Sequence, residues 1–162
     1  MTRTATFTLF CRRLPKDRGF RVVAGLEDCL RFLEEFAFDE TDLDYLGSIG
    51  FVEDDLRRFG SFRFAGEVWA VPEGTVLLAN KPLLEVTAPI AKAQLVETDL
   101  VNQCTFQTVL ATQAARCRIA AAGRIDIVDF NIRRTHGIEA GIAAARLSAM
   151  CGFVGTSNVE AA

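Results

Sequence analysis

Between Pro89 and Gly123 the chain contains neither proline nor glycine, the two residues that most often interrupt a helix. Apolar residues recur among polar ones along the whole stretch, and proline is favoured at the first position of a helix. The sequence therefore predicts one long helix, or two abutting helices, that opens at Pro89 and ends at Gly123.

The residues before this stretch predict a mixture of helices and strands. Alternating side chains predict a strand over residues 5–11, and helical spacing of apolar residues predicts an amphipathic helix over 26–36. Two short acidic helices are expected at 39–46 and 53–59, ended by Gly47 and Gly60.

Four short β runs follow, separated by glycine, proline and asparagine. They cover residues 62–64, 67–71, 75–78 and 83–87. Their spacing predicts a compact antiparallel unit. Residues 1–88 are accordingly interpreted as an α+β N-terminal domain.

Residues 89–162 predict an α/β layer, because the long helix is followed by a β run, an Ala-rich helix and a second β run at 125–130, 137–150 and 152–154. Such alternation begins a parallel sheet or an α/β barrel. Two parallel strands cannot bury both faces, so the layer is predicted to be incomplete. The fold class expected is α/β, with a β-rich N-terminal domain and the first strands and helices of a barrel.

Composition excludes several classes of protein. No apolar run reaches the roughly 18 residues of a membrane span, and the N-terminus lacks the apolar region of a signal peptide, so no membrane partner and a cytoplasmic location are expected. The net charge of −3 argues against a nucleic-acid partner. Five cysteines without a C-x-x-C pair, and a single histidine, predict no metal site and thiols that are small buried apolar groups.

Residues 101–146 carry six arginines against three acidic residues, although the chain as a whole is acidic. The planar guanidinium group suits phosphate and carboxylate. The alternative interpretation is a solvated helix face.

Two predicted strand ends combine aromatic, cationic and hydroxyl groups. The first strand continues into Phe130, Arg133 and Arg134, where a flat anionic ligand could stack on the ring and pair with a guanidinium group. The second strand ends near Ser157 and Asn158, small residues that can donate hydrogen bonds. Since active sites of α/β barrels lie at the carboxyl ends of strands, Phe130, Arg133 and Ser157 are predicted to share the end of two adjacent parallel strands. Ordinary strand-end turns are the alternative.

The strings at residues 128–137 and 152–159 resemble the paired strand-end motifs of nicotinate phosphoribosyltransferases. Residues 7–15, 24–36, 82–98 and 106–116 resemble other segments of that family in the same order. Several weak motifs in one order are more specific than any one of them. The resemblance covers essentially the whole chain and implies the N-terminal portion of the family's fold, truncated at both ends.

The resemblance implies an enzyme of NAD salvage that joins nicotinate to phosphoribosyl pyrophosphate, giving nicotinate mononucleotide and pyrophosphate. It implies ATP hydrolysis through a phosphorylated histidine, participation of Mg²⁺, and a homodimer with the active site at the subunit interface. The phosphorylated histidine, the phosphate-binding loops and an N-terminal active-site tyrosine have no counterparts in this sequence, so the chain alone is expected to be inactive.

Site residues are implied at matching positions. Phe130 would stack on the pyridine ring, Arg133 would hold the phosphates as the catalytic residue, and Arg12 would reach the neighbouring subunit's site. Ser157 occupies the place of an Asp in nicotinamide-specific relatives; a hydroxyl can donate to a carboxylate, whereas an Asp would repel it, so Ser157 favours nicotinate.

Arg134 and Ser157 each keep more than one interpretation. Arg134 is either a second anion clamp or the partner of Asp129 in a salt bridge, and the alternative role of Ser157 is to cap a turn. His136 is interpreted as a surface or supporting residue. Two alternative functions are kept: a nicotinamide-using relative, and a truncated, non-catalytic module that dimerises or binds anions.

Overall fold

The computed structural model describes residues 3–161 as a mixed α/β chain in which one long helix connects two groups of elements. In chain order the elements are β1 (Thr4–Phe10), β2 (Arg21–Val22), α1 (Leu26–Glu35), α2 (Glu40–Ser48), α3 (Glu53–Gly60), β3 (Glu67–Ala70), β4 (Val76–Leu77), β5 (Pro82–Pro89), α4 (Ile90–Ala121), β6 (Val128–Asp129), α5 (Ile138–Met150) and β7 (Gly155–Thr156), with 3₁₀ turns at Asn131–Arg134 and Val159–Ala161. None of the helices within residues 3–161 has the length and apolarity to cross a membrane.

The predicted long helix is confirmed as one continuous helix, α4, of 32 residues. At 1.5 Å per residue it is about 48 Å long. Pro89 is the last residue of β5 and caps the helix from outside, whereas the sequence placed it in the first helical position. The helix ends where Ala122 and Gly123 take left-handed backbone angles, with φ of 50° and 71°.

The central sheet contains three antiparallel strands in the order β1-β5-β3. Phe7 lies opposite Val86, and Val68 lies opposite the same residue on the other side of β5. Alternate residues of β5 point to one face. Val86 and its neighbours on that face pack against Val96 and Leu100 of α4, and this contact forms the main core.

The predicted compact β unit is therefore only partly correct. The strands do pair antiparallel, but β5 takes its second partner from the N-terminus, and β4 pairs with β2 in a separate two-stranded sheet. Residues 62–64 form no strand. The carbonyl groups of Phe62 and Arg63 accept hydrogen bonds from the side chains of Arg63 and Lys92 instead of from a strand.

Five of the chain's 13 phenylalanines form an aromatic cluster. The rings lie next to one another with centroids 5.0–6.0 Å apart. The cluster consists of Phe32, Phe36, Phe38, Phe59 and Phe62. It fastens α1 and α3 to each other, since aromatic pairs at these separations stabilise beyond the area they bury.

The two acidic helices are found at nearly the predicted positions. Asp39 and Asp42 form a reciprocal capping box that starts α2. Gly60 is the last residue of α3, so this helix ends at the predicted glycine, whereas Gly47 lies inside α2 and does not end it.

The segment between β2 and α1 lies directly on α4. The amide groups of Val22 and Ala24 donate to the hydroxyls of Thr112 and Thr108, at 3.0 and 3.2 Å. Gly25 has a φ of 97°, and a Cβ atom there would lie 2.9 Å from a carbonyl oxygen of α4. Only glycine suits this approach. The division into two domains between residues 88 and 89 remains a prediction. The main core contains residues from both sides of that boundary.

The thiols follow the prediction in part. Cys29 and Cys104 are buried with their Sγ atoms 3.4 Å apart, as small core groups would be. Cys11 and Cys151 are half-buried, and Cys117 is exposed on α4, so the prediction of a buried thiol is wrong at Cys117.

The last two strands are parallel neighbours, as predicted, but much shorter. β6 covers only Val128–Asp129 of the predicted 125–130 run, and β7 begins after the predicted 152–154 run. β7 begins late because the residues before it complete the end of α5. Gly152 has a φ of 86°, and the amide of Phe153 donates to the carbonyl of Ser148, which together complete a helix cap.

Candidate active site

The carboxyl ends of β6 and β7 lie side by side. Asp129 is paired with Thr156, and the next amide along β7, that of Ser157, donates to the carbonyl oxygen of Asp129 at 2.9 Å. Phe130 and Ser157 therefore follow the two strands at the same end of the sheet. The predicted placement of these residues at the ends of two adjacent parallel strands is found.

The loop after β6 brings a cation to an aromatic face. The 3₁₀ turn over Asn131–Arg134 reverses the chain, and the guanidinium carbon of Arg133 lies 5.7 Å from the centre of the Phe130 ring. The Phe130 side chain is 55% exposed, which is high for a large apolar residue. An open ring beside a guanidinium group suits a flat ligand that carries negative charge.

The loop after β7 holds two buried polar groups without a partner. Among residues 3–161, neither the Ser157 hydroxyl nor the Asn158 side-chain nitrogen has a hydrogen-bond partner. A buried polar group left unsatisfied costs about 1–3 kcal/mol. A serine hydroxyl can reach a different direction by a change of rotamer, so an acceptor bound at the strand ends would satisfy it.

Asp129 connects the two loops and was not predicted to do so. Its side chain is 2% exposed; Oδ1 accepts from the amide of Asn131 at 3.1 Å, and Oδ2 accepts from the Thr156 hydroxyl at 2.9 Å. The Thr156 oxygen in turn accepts from the amide of Asn158 at 3.0 Å.

Arg134 and His136 lie on one groove but not in a salt bridge. Asp129 pairs with no cation among residues 3–161, so the salt bridge considered for Arg134 is wrong. Both Asp129 oxygens accept hydrogen bonds from the loops instead. Arg134, exposed His136 and Phe130 line a groove of about 460 Å³ between α4 and the end of β6. His136 is thus a surface residue, as predicted.

Arg12 is exposed just after β1 and lies away from the strand ends. It borders a groove formed by β1, β5 and α4 together with Glu97, and that groove includes none of Phe130, Arg133 and Ser157. Its role in a neighbouring subunit's site remains a prediction.

Another arginine of the basic segment is committed to a structural network. Arg146 of α5 donates to Glu73 at 2.8 Å and to Gln107 of α4 at 2.6 Å, and Glu73 accepts from the amides of Gly25 and Leu26 at the start of α1. Burial raises the pKa of Glu73, but the hydrogen bonds from Arg146 and the two amides outweigh it and leave this pKa below its usual value. The hydrogen bond to Glu73 raises the pKa of Arg146.

The carboxylates present do not form a metal centre. Within residues 3–161, no three His, Cys, Asp or Glu side chains come together as metal ligands would. Mg²⁺ and ATP remain expectations from the resemblance.

Solved structures place this fold within a class. The crystal structure of human nicotinic acid phosphoribosyltransferase superposes with a TM-score of 0.86 at 34% identity, over 98% of this chain and 32% of that chain. Nicotinate-nucleotide pyrophosphorylase from Pyrococcus furiosus gives a TM-score of 0.73 at 24% identity, over 98% and 33%, which shows a shared fold alone. The mixed α/β fold of this chain is shared with both proteins.

Sequence comparison gives the family. Residues 1–104 match the nicotinate phosphoribosyltransferase (NAPRTase) N-terminal domain. Nicotinate phosphoribosyltransferase pncB2 of Mycobacterium tuberculosis is 50% identical over 163 residues, covering 100% of this chain and 35% of the relative, and the Bacillus subtilis enzyme is 39% identical over 97% and 32%. The chain belongs to the nicotinate phosphoribosyltransferase family. It spans about a third of the length of these relatives.

Proposed function

We propose that this chain supplies the nicotinate-binding part of a nicotinate phosphoribosyltransferase, which joins nicotinate to phosphoribosyl pyrophosphate in NAD salvage. The observation that carries the proposal is the shared carboxyl end of β6 and β7. An exposed aromatic ring with a guanidinium group beside it follows β6, and a buried hydroxyl without a partner within residues 3–161 follows β7. Nicotinate is a flat ring with one carboxylate, and these groups match its two features.

Each residue has a role in the proposal. The pyridine ring stacks on Phe130, and the Ser157 hydroxyl donates to the nicotinate carboxylate. Arg133, 5.7 Å from the Phe130 ring, faces the phosphates, and Arg134 adds a second positive charge on the same groove. Arg12 contributes to the site of a second subunit in a homodimer.

The chemistry rests on positioning and charge. The pyridine nitrogen attacks the anomeric carbon of the ribose while the bond to pyrophosphate breaks, and Arg133 stabilises the negative charge that develops on the leaving group. The proposal includes coupling to ATP hydrolysis and Mg²⁺ on the substrate phosphates, both implied by the family. The remaining strands of an α/β barrel and a cytoplasmic setting also belong to it.

A hybrid enzyme tests the proposal. In this hybrid enzyme the chain replaces the matching 163-residue segment of the M. tuberculosis relative. We expect it to form nicotinate mononucleotide from nicotinate and phosphoribosyl pyrophosphate. Phe130→Leu should raise KM for nicotinate roughly tenfold, because it removes the stacking face but keeps an apolar side chain. A hybrid that folds and consumes only nicotinamide, or neither pyridine, would support one of the alternative functions.

We predict that the 162-residue chain alone has no detectable transferase activity and associates with itself. Ile125, Val128 and Val154 around the two-stranded parallel sheet are 64%, 45% and 62% exposed. Exposed apolar faces and open strand edges favour association. A radiolabelled nicotinate assay and analytical ultracentrifugation check this prediction, and an active monomer would contradict it.

A further inference from the structure

We propose that Asp129 is a positioning residue that sets the distance between the two loops of the nicotinate pocket, and thereby selects a carboxylate over a carboxamide. This inference rests on the proposed function. It assigns a role to a buried carboxylate that the proposed reaction does not itself use.

One oxygen of Asp129 holds the loop that carries the aromatic ring. Oδ1 accepts the amide of Asn131 at 3.1 Å, so the carboxylate grips the main chain directly after Phe130. Phe130 is thus fixed between the strand residue that precedes it and a hydrogen bond on its far side. Because the main chain is held on both sides of Phe130, the ring presents its face in one orientation.

The other oxygen holds the loop that carries the hydroxyl. Oδ2 accepts from the Thr156 hydroxyl at 2.9 Å, and that hydroxyl accepts the amide of Asn158 at 3.0 Å. Ser157 lies between these two residues, and its own amide donates to the Asp129 carbonyl at 2.9 Å. The main chain of Ser157 is therefore tied to Asp129 directly and through Thr156.

The burial of Asp129 indicates that this arrangement serves position rather than ligand contact. The side chain is 2% exposed, and both of its oxygens are engaged by the loops, which leaves the carboxylate no exposed surface for a ligand. A buried carboxylate is retained at a cost unless it is fully hydrogen-bonded. Here its hydrogen bonds meet both loops of the pocket at once.

The test uses the hybrid enzyme with Asp129→Asn, Thr156→Val and the double variant. We expect kcat/KM for nicotinate to fall about 10- to 100-fold in either single variant, since small misplacements of a binding group have effects of that size. KM for phosphoribosyl pyrophosphate should stay within about twofold, and the preference for nicotinate over nicotinamide should shrink. In the double variant kcat/KM for nicotinate should be little lower than in either single variant, because both substitutions disrupt the same Asp129–Thr156 hydrogen bond.

Two further variants separate positioning from stability. Thr156→Ser keeps the hydroxyl and should restore the nicotinate preference. Thr112→Val removes another buried hydroxyl, which accepts from the Val22 amide and donates to the Thr108 carbonyl, and should lower stability without changing the preference. If Thr156→Val changed the two pyridines equally, or if Thr112→Val changed the preference as much, the inference would be overturned.

Hydrogen exchange in the hybrid enzyme gives an answer that does not depend on activity. The Asn158 amide should exchange faster in Thr156→Val and the Asn131 amide faster in Asp129→Ala, which removes both acceptor oxygens, by about tenfold or more. Unchanged exchange at both amides would overturn the positioning role of Asp129. An unmodified hybrid enzyme that makes no nicotinate mononucleotide would instead count against the proposed function.

Discussion

Ser157→Asp is expected to shift the hybrid enzyme from nicotinate towards nicotinamide, changing the ratio of the two kcat/KM values by at least about tenfold. Ser157 stands at the end of β7, with a hydroxyl that has no partner within residues 3–161. An Asp side chain there would bring a negative charge to the point where the proposed pocket meets the substituent of the pyridine.

The two substrates respond to that charge in opposite directions. Like charges a few ångströms apart repel by about 4 kcal/mol at an effective dielectric constant of ~20, which disfavours nicotinate. The carboxamide of nicotinamide can donate to the new carboxylate, a charge-assisted bond worth about 1.5–3 kcal/mol. Screening and relaxation reduce both values, but about 1.4 kcal/mol is enough for a tenfold change in the ratio.

Two control variants isolate the charge. Ser157→Asn adds nearly the same volume without charge and should keep the preference for nicotinate. Arg133→Ala should weaken both pyridines alike, because Arg133 faces the phosphates in the proposed site. The measurement is kcat/KM for both pyridines in all four proteins. An unchanged ratio in Ser157→Asp would mean that Ser157 only shapes a turn.

The helices could be predicted from the sequence because their information is local. The apolar spacing of α1 and the absence of proline and glycine along α4 are properties of adjacent residues. Strand partners depend on distant residues instead. β5 pairs with β1, and the Thr4–Pro89 register that joins them links the two ends of the first 89 residues, which no local pattern records.

The same distinction between local patterns and distant partners applies to the candidate site. Phe130, Arg133 and Ser157 could be predicted because strand ends and residue types mark them. The Asp129–Thr156 hydrogen bond spans 27 residues and the Glu73–Arg146 pair spans 73, so neither follows from spacing. A carboxylate at the last position of a short strand, directly before an aromatic residue, was the visible sign of the first. No comparable sign marked Glu73, which lies in a turn between strands.

Replacing Glu73 with Ala should lower the free energy of unfolding of the chain by about 2–3 kcal/mol. The Glu73 side chain is 19% exposed and joins α5 to the start of α1. Its loss leaves Arg146 with only the more distant carboxylate of Glu27, at 4.0 Å, and removes the acceptor for the amides of Gly25 and Leu26. Arg146 is 36% exposed, so water replaces part of that interaction, and the effect falls below the about 3–5 kcal/mol of a fully buried pair.

The same residue predicts how stability depends on pH. The folded state holds the pKa of Glu73 below its usual value, so the unfolded state binds a proton first as pH falls. The stabilisation from Glu73 is therefore complete above the unfolded pKa, about 4.3, and is lost as pH falls through the lower folded value. Glu73→Gln should remove this part of the acid sensitivity, because an amide does not titrate.

Urea unfolding followed by circular dichroism from pH 7 to pH 3 measures both effects. Glu85→Gln is the matched control, since Glu85 accepts a hydrogen bond from the exposed Thr8 hydroxyl and should change the unfolding free energy by less than about 0.5 kcal/mol. The difference between the unmodified chain and Glu73→Gln should be largest near neutral pH and shrink on acidification, while the Glu85→Gln difference stays small throughout. A Glu73→Gln difference that is equally large at pH 3 and pH 7 would mean that shape and packing, rather than the charge of Glu73, hold α5 against α1.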